Sequence, residues 1–254
     1  MPKLSARLNI LDIWVDPVNR EEAIERARSF LRDGTRPHAI FATNPEKNYS
    51  VPKDPLLYET YKTADLLLPD GIGMVIAARL LCGCNIERVP GSEFIFDLCR
   101  LAVEEDCGLF VYGSKEYVNE KSVELLQQRF PGLNIAGRAN GYVKKEDMQE
   151  LIGRINDSRA KILLIALGSP NQEKWFATYK DSLKYVRVVQ AVGGTLDTIA
   201  GNVKRAPQIW QRCSAEWLYR LIAQPSRIKR QKVLPLFAAA VLVAKLRQLL
   251  LGRD

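Results

Sequence analysis

Short apolar runs alternate with longer stretches of helical periodicity over the first 200 residues, and this alternation limits the fold more than any other feature. Such a rhythm is typical of a mostly parallel β-sheet with helices on both faces. We therefore expect a Rossmann-like α/β fold. The predicted strands are 38–42, 66–68, 108–112, 134–137, 161–167 and 186–191. The predicted helices are 20–33, 55–63, 71–81, 93–105, 115–129, 145–156 and 171–179.

The α/β rhythm ends near Gly201. A chain of 254 residues is long enough for one domain of roughly 200 residues and a smaller addition. Beyond Gly201 the pattern predicts a helical region at 207–230, broken at Pro225, and another helix at 233–251. We expect an α/β core at 1–200 and a helical appendage at 201–254 that has too little core to fold alone.

The excess of positive over negative charge lies in this appendage. The net charge is +8, yet from Val203 onward eleven Lys and Arg residues stand against two acids, so the preceding residues are nearly neutral. Trp210, Trp217 and Tyr219 are interleaved with these charges. The pattern indicates a polyanionic partner, which could be nucleic acid, anionic lipid or a diphosphate. A solvated basic tail is the simpler alternative.

Targeting and redox features point to a cytoplasmic protein. No signal peptide is recognisable, and the apolar run 233–244 is shorter than the roughly 20 residues of a spanning helix. Basic residues flank this run, so we expect it to lie in the membrane interface, or else to bury an apolar face in a dimer. The odd number of cysteines, five, favours reduced thiols. Zinc is not expected, because Cys82 and Cys84 have no second Cys or His pair.

Several predicted strands end directly in glycine turns, at Gly113, Gly168 and the pair Gly193 and Gly194. In open α/β sheets, ligands bind outside the carboxyl ends of the strands, where backbone N–H groups can approach phosphate. The sequence therefore predicts a nucleotide cleft at this edge. It contains no dinucleotide or P-loop glycine signature, and a single glycine more often forms only a turn.

Asp70 directly follows the apolar run 66–68 and Pro69. A carboxylate held at the carboxyl end of a strand faces the cleft and is partly desolvated, which suits a general base. The alternative is that Asp70 caps the helix predicted to start near Gly71.

Other polar side chains at strand ends also have two interpretations. Asn44 could bond sugar hydroxyls or stabilise the turn before Pro45. Gln172 could point at a donor or cap its helix, and Arg88 could contact phosphate or form a salt bridge. Asp197 could accept hydrogen bonds from a uracil or a ribose.

The sequence contains no D-x-D motif. Many nucleotide-sugar transferases use such paired acids to hold a divalent cation, because a hard cation prefers oxygen ligands. We therefore expect a metal-independent protein without a cofactor.

These motifs, in this order, resemble the WecG/TagA/CpsF glycosyltransferases, also called glycosyltransferase family 26. The matching stretches begin in the N-terminal half and continue into the appendage. They are 43–47 (TNPEK), 68–73 (LPDGIG), 88–93 (RVPGSE), 168–173 (GSPNQE), 192–197 (VGGTLD), 201–207 (GNVKRAP), 216–221 (EWLYRL) and 224–231 (QPSRIKRQ).

The resemblance implies an inverting hexosyltransferase that moves a sugar from a UDP-sugar to an undecaprenyl-diphosphate-linked acceptor. The C-terminal stretch is most similar to the branch that adds N-acetylmannosaminuronic acid in enterobacterial common antigen synthesis. Relatives transfer N-acetylmannosamine, or a hexose such as glucose in capsule and exopolysaccharide assembly. The resemblance also implies peripheral association with the inner face of the plasma membrane, and self-association.

The resemblance assigns roles to individual residues. Asp70 occupies the position of the catalytic base. A sugar pocket is implied around Thr43, Asn44 and Gln172, although Ala42 stands where the family commonly has Thr. The donor-binding set also includes Arg88, Gly113, Gly168 and Asp197, and the acceptor diphosphate is implied to contact Arg220, Arg227 and Arg230.

Two other classes of protein compete with this interpretation. A nucleic-acid-binding module would explain a basic C-terminus with Trp and Tyr, but not the polar residues at strand ends. Nucleic acid is therefore not an expected partner. An epimerase or dehydrogenase acting on UDP-sugars is disfavoured because the dinucleotide signature is missing.

Overall fold

The computed structural model describes residues 6–203 and 232–252, and between them only Pro207, Trp210, Leu218 and Tyr219. The described part of the chain forms a six-stranded parallel sheet in the order β4-β3-β8-β7-β5-β6, and a separate antiparallel hairpin of β1 and β2. The predicted Rossmann-like fold is confirmed. The strands are β1 (Leu8–Ile10), β2 (Ile13–Val15), β3 (His38–Thr43), β4 (Leu66–Pro69), β5 (Leu109–Gly113), β6 (Ile135–Ala139), β7 (Ile162–Ala166) and β8 (Val188–Ala191).

Helices cover both faces of the sheet, and a π-helix at Ala78–Cys82 continues α4. Short 3₁₀ turns lie at Val51–Lys53 and Lys180–Ser182. The α-helices are α1 (Arg20–Asp33), α2 (Lys47–Ser50), α3 (Pro55–Lys62), α4 (Ile72–Ala77), α5 (Gly91–Glu104), α6 (Glu116–Arg129), α7 (Met148–Asp157), α8 (Asn171–Tyr179) and α9 (Thr195–Ile199).

The central strand β7 shows why the sheet is buried on both sides. All five of its residues are apolar and buried. Leu163 and Ile165 pack into the hydrophobic cluster on one face, and Ile162 and Leu164 pack into the cluster on the other. Such strands appear in the sequence as continuous apolar runs, because helices cover both faces of a parallel sheet.

A C-terminal helix, Val233–Leu251, packs on the core beside the carboxyl end of β4. Phe237 and Val241 are buried, and Gln248 Nε2 donates to the Leu81 carbonyl of the π-helix at 3.3 Å. This helix has 19 residues and a mean hydropathy of 1.8, and only 11% of its most apolar window is buried. It extends past the apolar run 233–244, so by length and composition it is long enough to cross a membrane.

Candidate functional site

Asp70 and Asn44 emerge side by side at the carboxyl edge of the sheet. β3 and β4 are neighbours, with Thr43 paired to Pro69 in the parallel register. The Asp70 N–H donates to the Thr43 carbonyl at 2.9 Å. Adjacent strands lie about 4.8 Å apart, so the two polar residues leave the sheet within one strand spacing of each other.

Asp70 does not occupy the capping position of α4. That position belongs to Gly71, which has a φ of +95°, and the helix begins at Ile72. A positive φ favours glycine because a side chain would be strained there. The glycine turn therefore directs the chain into α4 one residue after Asp70, and the partly exposed carboxylate stands at the end of the strand.

Arg88 lies against the end of the same strand. The Val89 N–H donates to the Pro69 carbonyl at 2.9 Å, which fixes the segment before α5 beside β4. Arg88 and Asp70 therefore flank Pro69 from two different segments of the chain. The backbone thus brings an anionic residue, Asp70, and a cationic residue, Arg88, to the end of β4.

The Asn44 side chain stabilises its own turn. Its Oδ1 accepts from the Glu46 N–H at 3.1 Å, and its backbone carbonyl accepts from the Lys47 N–H at 2.9 Å. The turn interpretation is therefore confirmed. The bond fixes the orientation of the side chain, and the Asn44 amide nitrogen donates to no described residue.

Ala42 and Thr43 point to opposite faces of β3. Thr43 is fully buried on the face of Ala39 and Phe41, and its Oγ1 has no hydrogen-bond partner among the described residues. Ala42 faces the start of α5, where a Cβ built on Gly91 would lie 3.0 Å from the Ala42 Cβ. Thr43 therefore does not replace the hydroxyl that the family commonly has at position 42, and its role in donor binding stays a prediction.

Gln172 connects two neighbouring loops. Its Oε1 accepts from the Gly193 N–H at 2.9 Å, and the side chain is buried at the start of α8. Pro170 stands at the cap of that helix, and none of the described side chains caps it, so the capping interpretation of Gln172 is wrong. Gln172 holds the loop after β7 against the glycine turn after β8.

Two of the glycines in the predicted phosphate-binding turns, Gly113 and Gly168, differ in their surroundings. Gly113 has a φ of +124°, and a Cβ there would lie 2.5 Å from backbone atoms of Ala166. Gly168 has a φ of +73°, and no atom of a described residue lies within 4 Å of such a Cβ. The close approach of β7 therefore leaves no room for a side chain at Gly113, whether or not the Gly113 N–H also contacts a ligand.

We expect Gly113→Ala to lower the free energy of unfolding by about 3 kcal/mol or more, because backbone strain and overpacking add at this position. Chemical denaturation measures the loss. Gly153→Ala in α7 is the matched control, since a Cβ there meets no atom of the structurally described chain within 4 Å, and it should raise stability by up to about 1 kcal/mol. Equal stability of the Gly113 variant and the wild type would contradict the packing argument.

Asp197 lies on α9, after the glycine turn that follows β8, and is partly exposed. Its backbone carbonyl accepts from the Val203 N–H at 3.2 Å. β8 lies between β3 and β7 in the sheet, so Asp197 belongs to the loops at the middle of the carboxyl edge. Gly113, at the end of β5, is more distant from Asp70, which follows β4. Three strands lie between β5 and β4, so four strand spacings of about 4.8 Å place the two strand ends about 19 Å apart.

The structure adds a buried group of polar residues that the sequence did not single out, which we call the Lys47–Glu173 cluster. Glu173 Oε1 accepts from Lys47 Nζ and from the Tyr61 hydroxyl, each at 3.0 Å. Lys47 Nζ also donates to Ser169 Oγ. Lys47 and Glu173 both stand within the motifs quoted above, and this is the signal that could have indicated them.

Burial raises the pKa of the Tyr61 hydroxyl well above its ordinary value, and the negative charge of Glu173 adds to the effect. Asp70 makes a smaller contribution in the same direction. Tyr61 therefore stays protonated and acts as a hydrogen-bond donor to Glu173.

Among the residues that the structure describes, no group of three or more His, Cys, Asp or Glu side chains could hold a metal ion. Metal independence itself stays a prediction. The appendage arginines Arg220, Arg227 and Arg230 lie outside the described residues.

An open parallel sheet with polar side chains gathered at its carboxyl edge is the architecture of an α/β enzyme that binds its ligand there. The comparison with known proteins gives the particular family. Residues 8–250 match the sequence model of the glycosyl transferase WecG/TagA/CpsF family. The chain belongs to this family and is a glycosyltransferase.

The chain is also similar to the N-acetylglucosaminyldiphosphoundecaprenol N-acetyl-beta-D-mannosaminyltransferase of Bacillus spizizenii. The two sequences are 34% identical over 203 residues, which cover 80% of this chain and 78% of the relative. The family expected from the motifs is therefore confirmed over most of the sequence.

Proposed function

We propose that this enzyme transfers an N-acetylmannosamine-type sugar, N-acetylmannosamine or its uronic acid, from a UDP-sugar to an undecaprenyl-diphosphate-linked N-acetylglucosamine. The name of the Bacillus relative supports the acceptor and the type of sugar. The observation that carries the catalytic assignment is the position of Asp70, which is held by Thr43 at the end of β4 and lies beside Asn44.

The proposed reaction is a single displacement with inversion. Asp70 takes the proton of the acceptor hydroxyl as its oxygen attacks the anomeric carbon of the donor. The bond between that carbon and the diphosphate oxygen breaks, and UDP leaves with the electron pair. Asn44 and Gln172 orient the sugar, because their amide nitrogens donate to no described residue and remain available to a hydroxyl or acetamido group.

The negative charge of two diphosphates must be offset in this reaction. On the basis of the family resemblance we assign Arg88 to the donor diphosphate, and Arg220, Arg227 and Arg230 to the acceptor diphosphate. The excess of basic residues after Val203 agrees with this assignment. Asp197 and the N–H groups of the glycine turns, other than that of Gly193, which donates to Gln172, complete the nucleotide site without a metal ion.

The enzyme is proposed to work at the cytoplasmic surface of the membrane that holds its lipid acceptor. Most of the C-terminal helix is exposed although it is strongly apolar. Lys232 directly precedes the helix, and Lys245 and Arg247 interrupt its apolar sequence, which suits a helix that contacts anionic head groups. Because this helix packs on α4, binding of the membrane brings the Asp70 edge close to the lipid-linked substrate.

The proposal is tested by incubating the protein with lipid-diphosphate-linked N-acetylglucosamine and, separately, UDP-N-acetylmannosamine, UDP-N-acetylmannosaminuronic acid and UDP-glucose. EDTA is present, and mass spectrometry follows the lipid product. We expect a mass increase with one of the two mannosamine donors. A product only with UDP-glucose would assign the enzyme to the hexose-transferring relatives. No product from the folded protein with any donor would overturn the proposal, and product only after addition of Mg²⁺ would overturn metal independence.

A further inference from the structure

The Lys47–Glu173 cluster connects two loops that the sheet itself does not bring into contact. Lys47 lies three residues after Asn44, and Glu173 directly follows Gln172. These residues follow β3 and β7, which are separated by β8. The contact between Lys47 Nζ and Glu173 Oε1 therefore crosses over the end of β8 and ties together the two sides of the proposed sugar pocket.

The charges of this pair are shielded from solvent. The Glu173 side chain is 1% exposed and that of Lys47 is 10% exposed. Lys47 Nζ also lies 5.3 Å from the centroid of the Tyr61 ring, within the range of a cation–π contact. Glu173 Oε2 is buried without a hydrogen-bond partner among the described residues.

A buried ion pair of this kind adds little to the free energy of unfolding. The cost of removing both charges from water often exceeds their attraction, and apolar residues of similar size are frequently as stable. What a buried pair does supply is a defined geometry, because two charges in a low-dielectric interior tolerate little change in their separation. The pair lies between the loops of Asn44 and Gln172, and a fixed separation of these two loops is what catalysis would need.

We propose that Lys47 and Glu173 are positioning residues of the transferase, which hold Asn44 and Gln172 at the separation that the donor sugar requires. Neither residue touches the substrate. Tyr61 and Ser169 support the pair by donating to Glu173 and accepting from Lys47, respectively. The inference rests on the proposed function for the identity of the substrate, whereas the link between the two loops is a property of the protein alone.

The test compares variants that separate a positioning role from a purely structural one. Lys47→Met breaks the ion pair and leaves the Glu173 carboxylate with the Tyr61 hydroxyl but without its cation. Lys47→Arg keeps the charge, and Lys47→Met combined with Glu173→Leu removes both charges. The matched control is Asp97→Asn, because Asp97 is also 1% exposed and bonds Arg20 at 2.9 Å, but joins α1 to α5 away from the pocket.

We expect Lys47→Met to lower kcat/KM by about 100-fold, the size of effect that a misplacement of about 1 Å can cause. Lys47→Arg should recover to within about tenfold of the wild type. The double variant should regain the thermal midpoint of the wild type but not its kcat, because the link between the loops is missing. Asp97→Asn should lower the midpoint and leave kcat within about twofold.

A second measurement needs no substrate. Hydrogen exchange of backbone amides should show that Lys47→Met lowers protection in residues 44–50 and 168–176 together, with β5 and β6 unchanged. Recovery of wild-type kcat by the double variant would overturn the inference, and so would unchanged exchange in either loop. If the wild type transfers no sugar, the proposed function fails, and the exchange measurement still decides whether the pair links the loops.

Discussion

Asp70→Asn should lower turnover by about 10²–10⁴-fold, the contribution of a general base. Asparagine has nearly the same shape but cannot accept the proton of the acceptor hydroxyl. The Asp70 N–H bond to Thr43 involves only the backbone and remains, so the fold should be intact. Transfer to the lipid acceptor, measured under donor saturation, gives the turnover, and calorimetry with UDP should show unchanged nucleotide binding.

The control for this substitution is Asp33→Asn. Asp33 is an exposed residue at the end of α1, and β3 begins shortly after it at His38, so Asp33 lies at the amino edge of the sheet. The substitution makes the same change of charge and chemistry at the edge opposite Asp70, so its turnover should equal that of the wild type. Turnover of Asp70→Asn within about threefold of the wild type would remove Asp70 from the mechanism.

Replacement of Leu242, Leu246 and Leu249 together by glutamate should abolish binding to vesicles of anionic lipid. These side chains are 58%, 58% and 69% exposed, and their spacing places them on one face of the C-terminal helix, turned away from the face of the buried Phe237 and Val241. Each leucine that enters the membrane contributes roughly 1.5–3 kcal/mol. We therefore expect a loss of at least about 100-fold in the partition coefficient, measured by cosedimentation.

The matched control places the same three charges elsewhere on the surface, as Leu56→Glu, Val103→Glu and Tyr185→Glu. These side chains are 37–48% exposed and lie outside the C-terminal helix. This triple variant should still bind the vesicles, apart from a small electrostatic loss that added salt removes. Equal binding by both triple variants would show that the helix does not contact the membrane.

The parallel sheet could be predicted because its strands are buried on both faces and therefore appear as plain apolar runs, as Ile162–Ala166 illustrates. The hairpin of β1 and β2 was missed. Each of its strands has three residues, and its turn uses Leu11 and Asp12 at positive φ in place of the usual glycine. The five-residue helix α9 was missed because it is too short to show a helical period.

The motifs indicated which residues gather at the carboxyl edge, but they could not indicate the bonds between them. Asn44 was assigned either a turn or a ligand, and its bond to Glu46 became visible only in the folded loop. Lys47 and Glu173 are 126 positions apart in the chain. Local sequence carries no information about a contact at that separation, because it depends on the strand order.

The strand order also has a consequence for synthesis of the protein. β8 pairs with β3 on one side and β7 on the other, yet it is the last strand of the sheet to leave the ribosome. A nascent chain that ends before Val188 can form only β4 with β3, and separately β7 with β5 and β6. The strand ends after β3 and β4 therefore meet the end of β7 only when β8 is inserted between them. An unfinished chain consequently cannot act on a donor. A chain split between β7 and β8 should give two fragments that become active only when they reassemble.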